Sequence, residues 1–243
     1  MEHAILKHDL AIIVPVLGDE EALAELLLQI DQWPSKPAET IVVSGKPNPL
    51  VAEICRDRGC RFIDMHANRG ARLDHGARQA RSSVLWFMHA DVCPPRDGLT
   101  AIESAIASGA EGGCFRFEFQ GSRTWFKRLL EWSVALRILL GGVPYGDQSI
   151  FMRRDVYLEC GGFPHQPLFE EVRLVKRLRR RGHFRSLACA VRVSTRRWER
   201  DGWWSRTWRN RWLALCNMLG VSAERLAGAY HGRDADDADH DRE

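Results

Sequence analysis

The 243-residue chain has no apolar run approaching the roughly 20 residues that a bilayer-spanning helix needs. Met1-Glu2-His3-Ala4 offers neither a basic n-region nor a long apolar stretch, so no secretory signal is expected. Among Cys55, Cys60, Cys93, Cys114, Cys160, Cys189 and Cys216 no pair has C-x-x-C spacing, and the number is odd. That argues against a disulfide framework or a structural zinc site and for reduced thiols in a cytoplasm. There is no internal repeat and no nucleic-acid recognition module, so a nucleic-acid partner is set aside.

The composition is that of an ordinary soluble globular protein, 45% hydrophobic and 28% charged, and the chain is long enough for one large α/β domain or two small ones. The net charge of +3 hides an asymmetry. Arg233 to Glu243 holds five Asp, one Glu and two Arg, a net −4, which leaves +7 on the rest. Residues 233–243 are expected to be a solvated, disordered tail after a single domain over 1–232. The basic excess of the body suits a phosphate-bearing ligand or an anionic membrane surface.

Short apolar runs alternate with helical patterns through the first hundred residues. Ala11 to Val14 reads as a strand ended by Pro15, and Leu23, Leu26, Leu27 and Ile30 then share one helix face behind acidic Asp19 to Glu21. Strands are expected at Ile41–Val43 and Arg61–Asp64, with helices over Leu50–Arg58 and from Asn68 to about Arg81. Val84 to Met88 is the most buried in character, and it stops at His89-Ala90-Asp91. On an extended backbone His89 and Asp91 project to the same side, where an Asp and a His can hold a divalent cation. The same pattern also fits a packed His and a turn-capping Asp. The alternation predicts an α/β fold: one doubly wound, mostly parallel sheet flanked by helices, with ligands at its strand ends. In the second half, strands are expected at Gly112–Phe119, Ser149–Met152 and Leu187–Val193. An amphipathic helix is expected at Trp125–Leu140, a short one at Asp155–Cys160, and a basic one at Val172–Arg181 with Val172, Val175 and Leu178 inside.

Four pieces taken in order resemble a family 2 glycosyltransferase of the GT-A fold, over about Ala11 to Tyr230. They are Ile12 to Leu17 before an acidic helix start; the block from Asn68-Arg69-Gly70 to Asp91; Gly146-Asp147-Gln148 leading through Gly161-Gly162-Phe163-Pro164 to Leu168-Phe169-Glu170-Glu171; and Arg196-Arg197-Trp198-Glu199-Arg200. The Gly-Asp-Gln and Arg-Arg-Trp-Glu pieces are most similar to a small bacterial subgroup associated with radical-SAM and selenium-related proteins, in which His-Ala-Asp also occurs. The resemblance implies a nucleotide-diphosphate sugar donor and a divalent cation, Mg²⁺ or Mn²⁺, bridging its phosphates. Asp91 matches the last Asp of the family's Asp-x-Asp motif, and His89 stands at the first. Pro15, Leu17, Asp19, Ser44, Lys46, Arg69 and Arg72 fall on the donor side. Asp147, Gln148, Arg197 and Trp198 fall on the acceptor and diphosphate side, Arg197 as a phosphate fork and Trp198 as a stacking face. Glu171, next to Glu170, matches the base that takes the acceptor proton in a single inverting displacement. The sequence departs from the family at three places: Ser44 replaces a donor-binding Asp, Gly18-Asp19-Glu20 replaces Asn-Glu-Glu, and Glu171 is one methylene longer than the usual Asp. The alternative is therefore a catalytically impaired relative, a nucleotide-sugar-binding or membrane-associated accessory protein. A nucleotidyltransferase would need a lysine- and glycine-rich loop after the first strand, and Val16 to Glu21 lacks one.

Five of nine tryptophans lie between Trp198 and Trp212, interleaved with arginines, and Trp204, Trp208 and Trp212 recur at helical spacing. Such a helix suits a bilayer interface through the Trp203–Trp212 region, with a lipid-linked acceptor and a peripheral site at the inner face of the cell membrane. It equally suits packing on the core under arginine stems.

Overall fold

The computed structural model describes residues 9–228, apart from the Met218 side chain. The acidic stretch 233–243 and the first eight residues lie outside the described residues. The chain begins with β1 (Leu10–Val16), buried along its whole length, followed by α1 (Glu20–Asp31), β2 (Glu39–Ser44), α2 (Pro49–Asp57), β3 (Arg61–Asp64), α3 (Arg69–Gln79) and β4 (Val84–Phe87). The strand pairs β1–β2, β2–β3 and β1–β4 are all parallel. Then come β5 (Val92–Cys93), α4 (Gly98–Ala107), β6 (Gly112–Phe119), α5 (Trp125–Leu139), a short 3₁₀ turn (Gly146–Gln148), β7 (Ile150–Arg153), α6 (Arg154–Glu159), α7 (Glu170–Arg180), β8 (Phe184–Val193), α8 (Arg196–Asp201) and α9 (Trp203–Met218).

All eight strands form one sheet in the order β3-β2-β1-β4-β7-β6-β8-β5. β7 runs antiparallel to both β4 and β6, β5 is antiparallel to β8, and β6–β8 is parallel. Alternate residues of each strand feed opposite faces, as a period of two requires. Ile12, Val14, Val42, Val84 and Trp86 pack under α1, α2 and α4. Ala11, Ile13, Ile41, Val43, Leu85 and Phe87 pack under α3, α6 and α7. The expected doubly wound, mostly parallel sheet is present. Its order reverses at β1, because β2 leaves to one side and β4 returns to the other. Ligands of such sheets bind beyond the strand ends at that reversal, here after Val16 and Phe87.

Several expectations are corrected. Pro15 continues β1, paired with Val43. Ile13 O accepts from Met88 N of the segment after β4, and Val16 O accepts from Gly45 N beside β2. By alternation Pro15 faces the β4 side. The last pair there is Ile13–Phe87, so the missing N–H costs no ladder bond. β4 stops at Phe87 and the chain turns at Ala90–Asp91, so His89 and Asp91 are not held side by side on an extended strand. α7 begins at Glu170 and buries Leu174, Val175 and Leu178, while Val172 is only half-buried. On the basic side of α7, Arg177 and Arg179 are half-buried: Arg177 donates to Cys160 O at 2.6 Å and Arg179 to Ile138 O at 3.1 Å. α5 turns Trp125, Leu129, Trp132 and Leu139 outward and buries Lys127, whose Nζ donates to Gln120 O at 2.8 Å. All seven cysteines are unpaired. No described helix is long and apolar enough to cross a membrane.

Candidate active site

The cleft is built where β1 and β4 end. After Val16 the chain passes exposed Leu17 and Gly18 to Asp19, which stands at the start of α1 without capping it. After Phe87 it delivers His89 and Asp91. The Asp91 carboxylate is 3.4 Å from Arg197 Nη2 of α8 and is about a quarter exposed. Asp19 is held above the ordinary carboxylate range by burial and by the Asp91 charge, against the pull of Arg197 and Arg196. Asp147, on the 3₁₀ turn, is pushed up to about 6 by burial; Arg137 opposes this and Asp91 adds to it. The Asp91 charge thus acts on both Asp19 and Asp147, and the three carboxylates face a common space.

His89 is pushed down to about 4, first by burial and then by Arg69, so its ring is neutral at pH 7. Its Nε2 is buried with no hydrogen-bond partner. A Cβ on Gly146 would stand 2.5 Å from that nitrogen, so the glycine is what lets the turn lie on the imidazole.

Beside His89 and Gly146 lies a small cavity between Leu73, Phe87, Ile150 and Phe163, with Glu170 and Glu171 on its wall. Glu170 is buried and takes the Arg69 fork, Nε at 2.5 Å and Nη2 at 3.0 Å. Glu171 is buried too, and its Oε2 has no partner. Burial, and then the Glu170 charge, push it up to about 8, with Arg69 pulling the other way. Phe169, just before the pair, sits in the left-handed region at φ 58° and packs its ring 5.8 Å from Tyr145. A non-glycine residue there stores strain that surrounding packing must hold.

Other residues expected at the site are placed differently. Arg72 lies buried beneath the β1 and β2 loops and donates through Nη1 to Val16 O. Ser44 is buried and donates to Lys46 O at 2.7 Å, while Lys46 itself is exposed. Pro15 is buried in β1. Gln148 donates to Phe115 O at 3.4 Å and accepts from Arg137 at 3.3 Å, so it anchors the turn. Trp198 packs edge-on against Phe119 at 5.0 Å and beside Trp203 at 6.3 Å, which uses its ring internally.

The sequence reading missed a buried polar knot. Asp74 of α3 accepts from Tyr157 OH at 2.8 Å and Arg78 Nε at 2.8 Å, with His165 Nε2 at 3.2 Å. Burial opposes ionisation, but these bonds hold the carboxyl below its ordinary range. Tyr157 OH in turn accepts from Phe163 N at 3.1 Å. Gly162 has φ +67°, and a Cβ there would stand 2.3 Å from Asp74 Oδ1. The Gly161-Gly162-Phe163-Pro164 piece was the signal: the loop needs glycine to reach Asp74, and so carries Phe163 into the cavity and leads to Glu170.

Among the described residues no three His, Cys, Asp or Glu side chains converge as a complete metal cage. A small hard cation does not need one, because one or two carboxylates and the oxygens of a bound diphosphate suffice. Asp91 fits that role, with an accessible oxygen whose charge already raises Asp19 and Asp147. His89 Nε2 is closed off by Gly146.

The mostly parallel sheet with a carboxylate-lined cleft at its reversal point is that of the GT-A class of α/β fold, as the family match and the superposed structures show. The chain belongs to glycosyl transferase family 2, whose profile matches residues 11–162, more than half of it. Solved structures agree in fold. The mannosyltransferase PcManGT from Pyrobaculum calidifontis, in complex with GDP-Man and Mn²⁺, superposes with a TM-score of 0.61 at 15% identity, over 86% of this chain and 64% of that one. S. aureus TarS 1-349 gives 0.60 at 13% identity, over 76% and 60%. Glucosyl-3-phosphoglycerate synthase from Mycobacterium tuberculosis, in complex with Mn²⁺, UDP and glucosyl-3-phosphoglycerate, gives 0.54 at 13% identity, over 76% and 70%. The chain thus spans under two thirds of the length of PcManGT and of TarS 1-349. No curated protein matches it.

Proposed function

We propose that this protein transfers a sugar from a nucleotide-diphosphate donor to an acceptor hydroxyl with inversion, assisted by Mg²⁺ or Mn²⁺. The observation that carries the reading is two acidic groups of opposite character on one cleft. Asp91 is accessible and paired with Arg197; Glu171 is buried with one oxygen unpartnered. Likeness to enzymes solved with GDP-Man, or with UDP, and Mn²⁺ supports the donor class.

On this reading Asp91 and the donor phosphates hold the cation, which when bound neutralises charge on the leaving diphosphate. Arg197 pairs with the same diphosphate once it leaves Asp91, and Asp19 and Lys46 border the donor. Arg69 is the clamp on Glu170 and fixes the start of α7. The acceptor oxygen bonds to the sugar carbon as the bond from that carbon to the diphosphate oxygen breaks. The hydroxyl proton passes to the Glu171 carboxylate. Glu171 must be ionised to take it, and its proton is held to about pH 8. Turnover is therefore expected to rise with pH, to pass half its maximum near pH 8 and to level off only above it. The outward tryptophans of α9 support work at the inner face of the cell membrane on a lipid-linked acceptor.

Burial of Ser44, which presents no carboxylate to a donor, favours one second reading: an accessory protein that binds a nucleotide sugar without turnover. Release of nucleotide from UDP-, GDP- and dTDP-sugars, measured for wild type, Asp91→Asn and Glu171→Gln, decides between them. Turnover that both substitutions abolish is the expected result. Equal rates in all three proteins would end the site assignment, and donor binding without turnover in wild type would favour the accessory reading.

A further inference from the structure

α5 and α9 break the usual rule that helices hide their apolar side. Among the described residues, ten of fifteen exposed large hydrophobic side chains lie on these two helices or their C-caps. They include Trp125, Trp132, Trp204, Trp208 and Trp212, each between 61% and 72% exposed. On α5 the outward stripe is Trp125, Leu129, Trp132 and Leu139; on α9 the tryptophans recur every four residues, so each stripe is one helix face. The helices meet through Phe126, whose ring lies 4.7 Å from Trp204 and 5.9 Å from Trp203, so the two stripes adjoin.

Charge on these helices has one sign. α5 and α9 carry Lys127, Arg128, Arg137, Arg206, Arg209 and Arg211 against the single acid Glu131, which is engaged by Phe119 N at 2.9 Å and by Arg123. Arg128 and Arg211 are exposed beside the tryptophans. A second copy seated on this face would oppose bases with bases. Tryptophan rings flanked by arginine instead match the headgroup layer of an anionic bilayer, rings at the lipid–water boundary and guanidinium groups on phosphate.

The same elements reach the cleft. Arg137, on the inner side of α5, donates to Gln148 and stacks 4.4 Å over Tyr145. α8, which carries Arg197 to Asp91, runs into α9 through Gly202.

We infer that α5 and α9 together form a docking face for an anionic lipid bilayer, which brings the cleft to the membrane surface. The inference deepens the transferase reading, on which its placing of the cleft rests, and the docking itself can be measured without turnover.

The test is co-sedimentation of the full chain with phosphatidylcholine vesicles, with and without about one-third phosphatidylglycerol. Wild type should bind the anionic vesicles, and added salt should weaken the binding. Trp132→Ser with Trp208→Ser should lower the partition at least about tenfold. Arg128→Gln and Arg211→Gln should each lower it about fivefold, on anionic vesicles only. Both substitution sets lie on exposed side chains, and an unchanged circular dichroism spectrum and donor-induced thermal shift would establish that the fold is kept. No binding by wild type, equal binding to both vesicle types, or full binding by the double tryptophan variant would overturn the inference. So would a dimer, seen by light scattering, that the tryptophan variant abolishes while vesicles bind neither protein. Anionic-vesicle binding without any donor-induced shift would sink the transferase reading and leave the docking face standing.

Discussion

The two halves of the sheet handle their polar groups differently. From β1 to β4 the strands are parallel and two cleft carboxylates, Asp19 and Asp91, stand beyond strand ends in partial contact with solvent. From β6 onward antiparallel β7 is inserted, and the acidic pair Glu170–Glu171 is buried. Both non-glycine residues with positive φ among the described residues, Ser149 and Phe169, also lie in this second half. Regular architecture can present a carboxylate to an open cleft without strain. Burying two adjacent carboxylates requires a clamp, a strained turn and a knot of hydrogen bonds to keep them in place.

The largest expected effect separates the halves by role. Asp91→Asn should remove the thermal shift given by the preferred donor with Mn²⁺, together with turnover. Glu171→Gln should lower turnover by about 10²-fold or more while the donor shift remains. If Glu171→Gln also loses the donor shift, the division between the halves is wrong.

Next is the knot. Asp74→Ala leaves Tyr157, Arg78 and His165 without their acceptor and should cost about 3 kcal/mol. In a domain of this size that is a Tm fall of about 6–12 °C by calorimetry. An unchanged Tm would mean that the loop to Glu170 is held by packing alone.

The third prediction has the opposite sign. The proton of Glu171 is bound more tightly in the folded protein than in the unfolded chain. Its contribution is therefore most favourable at low pH and is lost as pH rises toward about 8. Glu171→Gln should raise Tm by a few degrees at pH 8, with the gain shrinking toward pH 5. A gain independent of pH would remove burial of the ionised form as its cause.

The smallest effect concerns Ser149, at φ 46° with a buried Oγ that has no partner. Glycine removes about 1–2 kcal/mol of left-handed strain and costs about 0.5–1 kcal/mol in chain entropy. Ser149→Gly should thus raise Tm by a degree or two, and a fall would mean that the hydroxyl has a partner.

Much of the first half was legible because its signals are local. Apolar runs gave β1 to β4, Asn68 marked the start of α3 and bonds Ala71 N at 2.9 Å, and the stop after Met88 located Asp91. The acidic pair was found by likeness to a family, because two adjacent glutamates also suit any helix start. The Asp74 knot joins residues 83 and 91 apart, and no spacing rule reaches that far. Arg72 and Trp198 were read by chemical type as phosphate and stacking groups. Their work in the fold, on Val16 O and against Phe119, depends on which element lies next to them. Pro15 was read as a strand end; a proline cannot donate, but whether a strand needs that donor depends on where its neighbour ends.

The placing of β8 has a consequence for how this chain can be cut. The stretch that matches the family ends at residue 162, whereas β6 is flanked on one side by β7 and on the other by β8, which begins at Phe184. An excised 11–162 segment would keep Asp91 but leave the whole length of β6, with Phe115, Phe117 and Phe119, as a bare hydrogen-bonding rim. Such a rim recruits strands from other molecules. The portable unit of this fold is therefore longer than its shared signature, and expression boundaries drawn at the signature should yield aggregates.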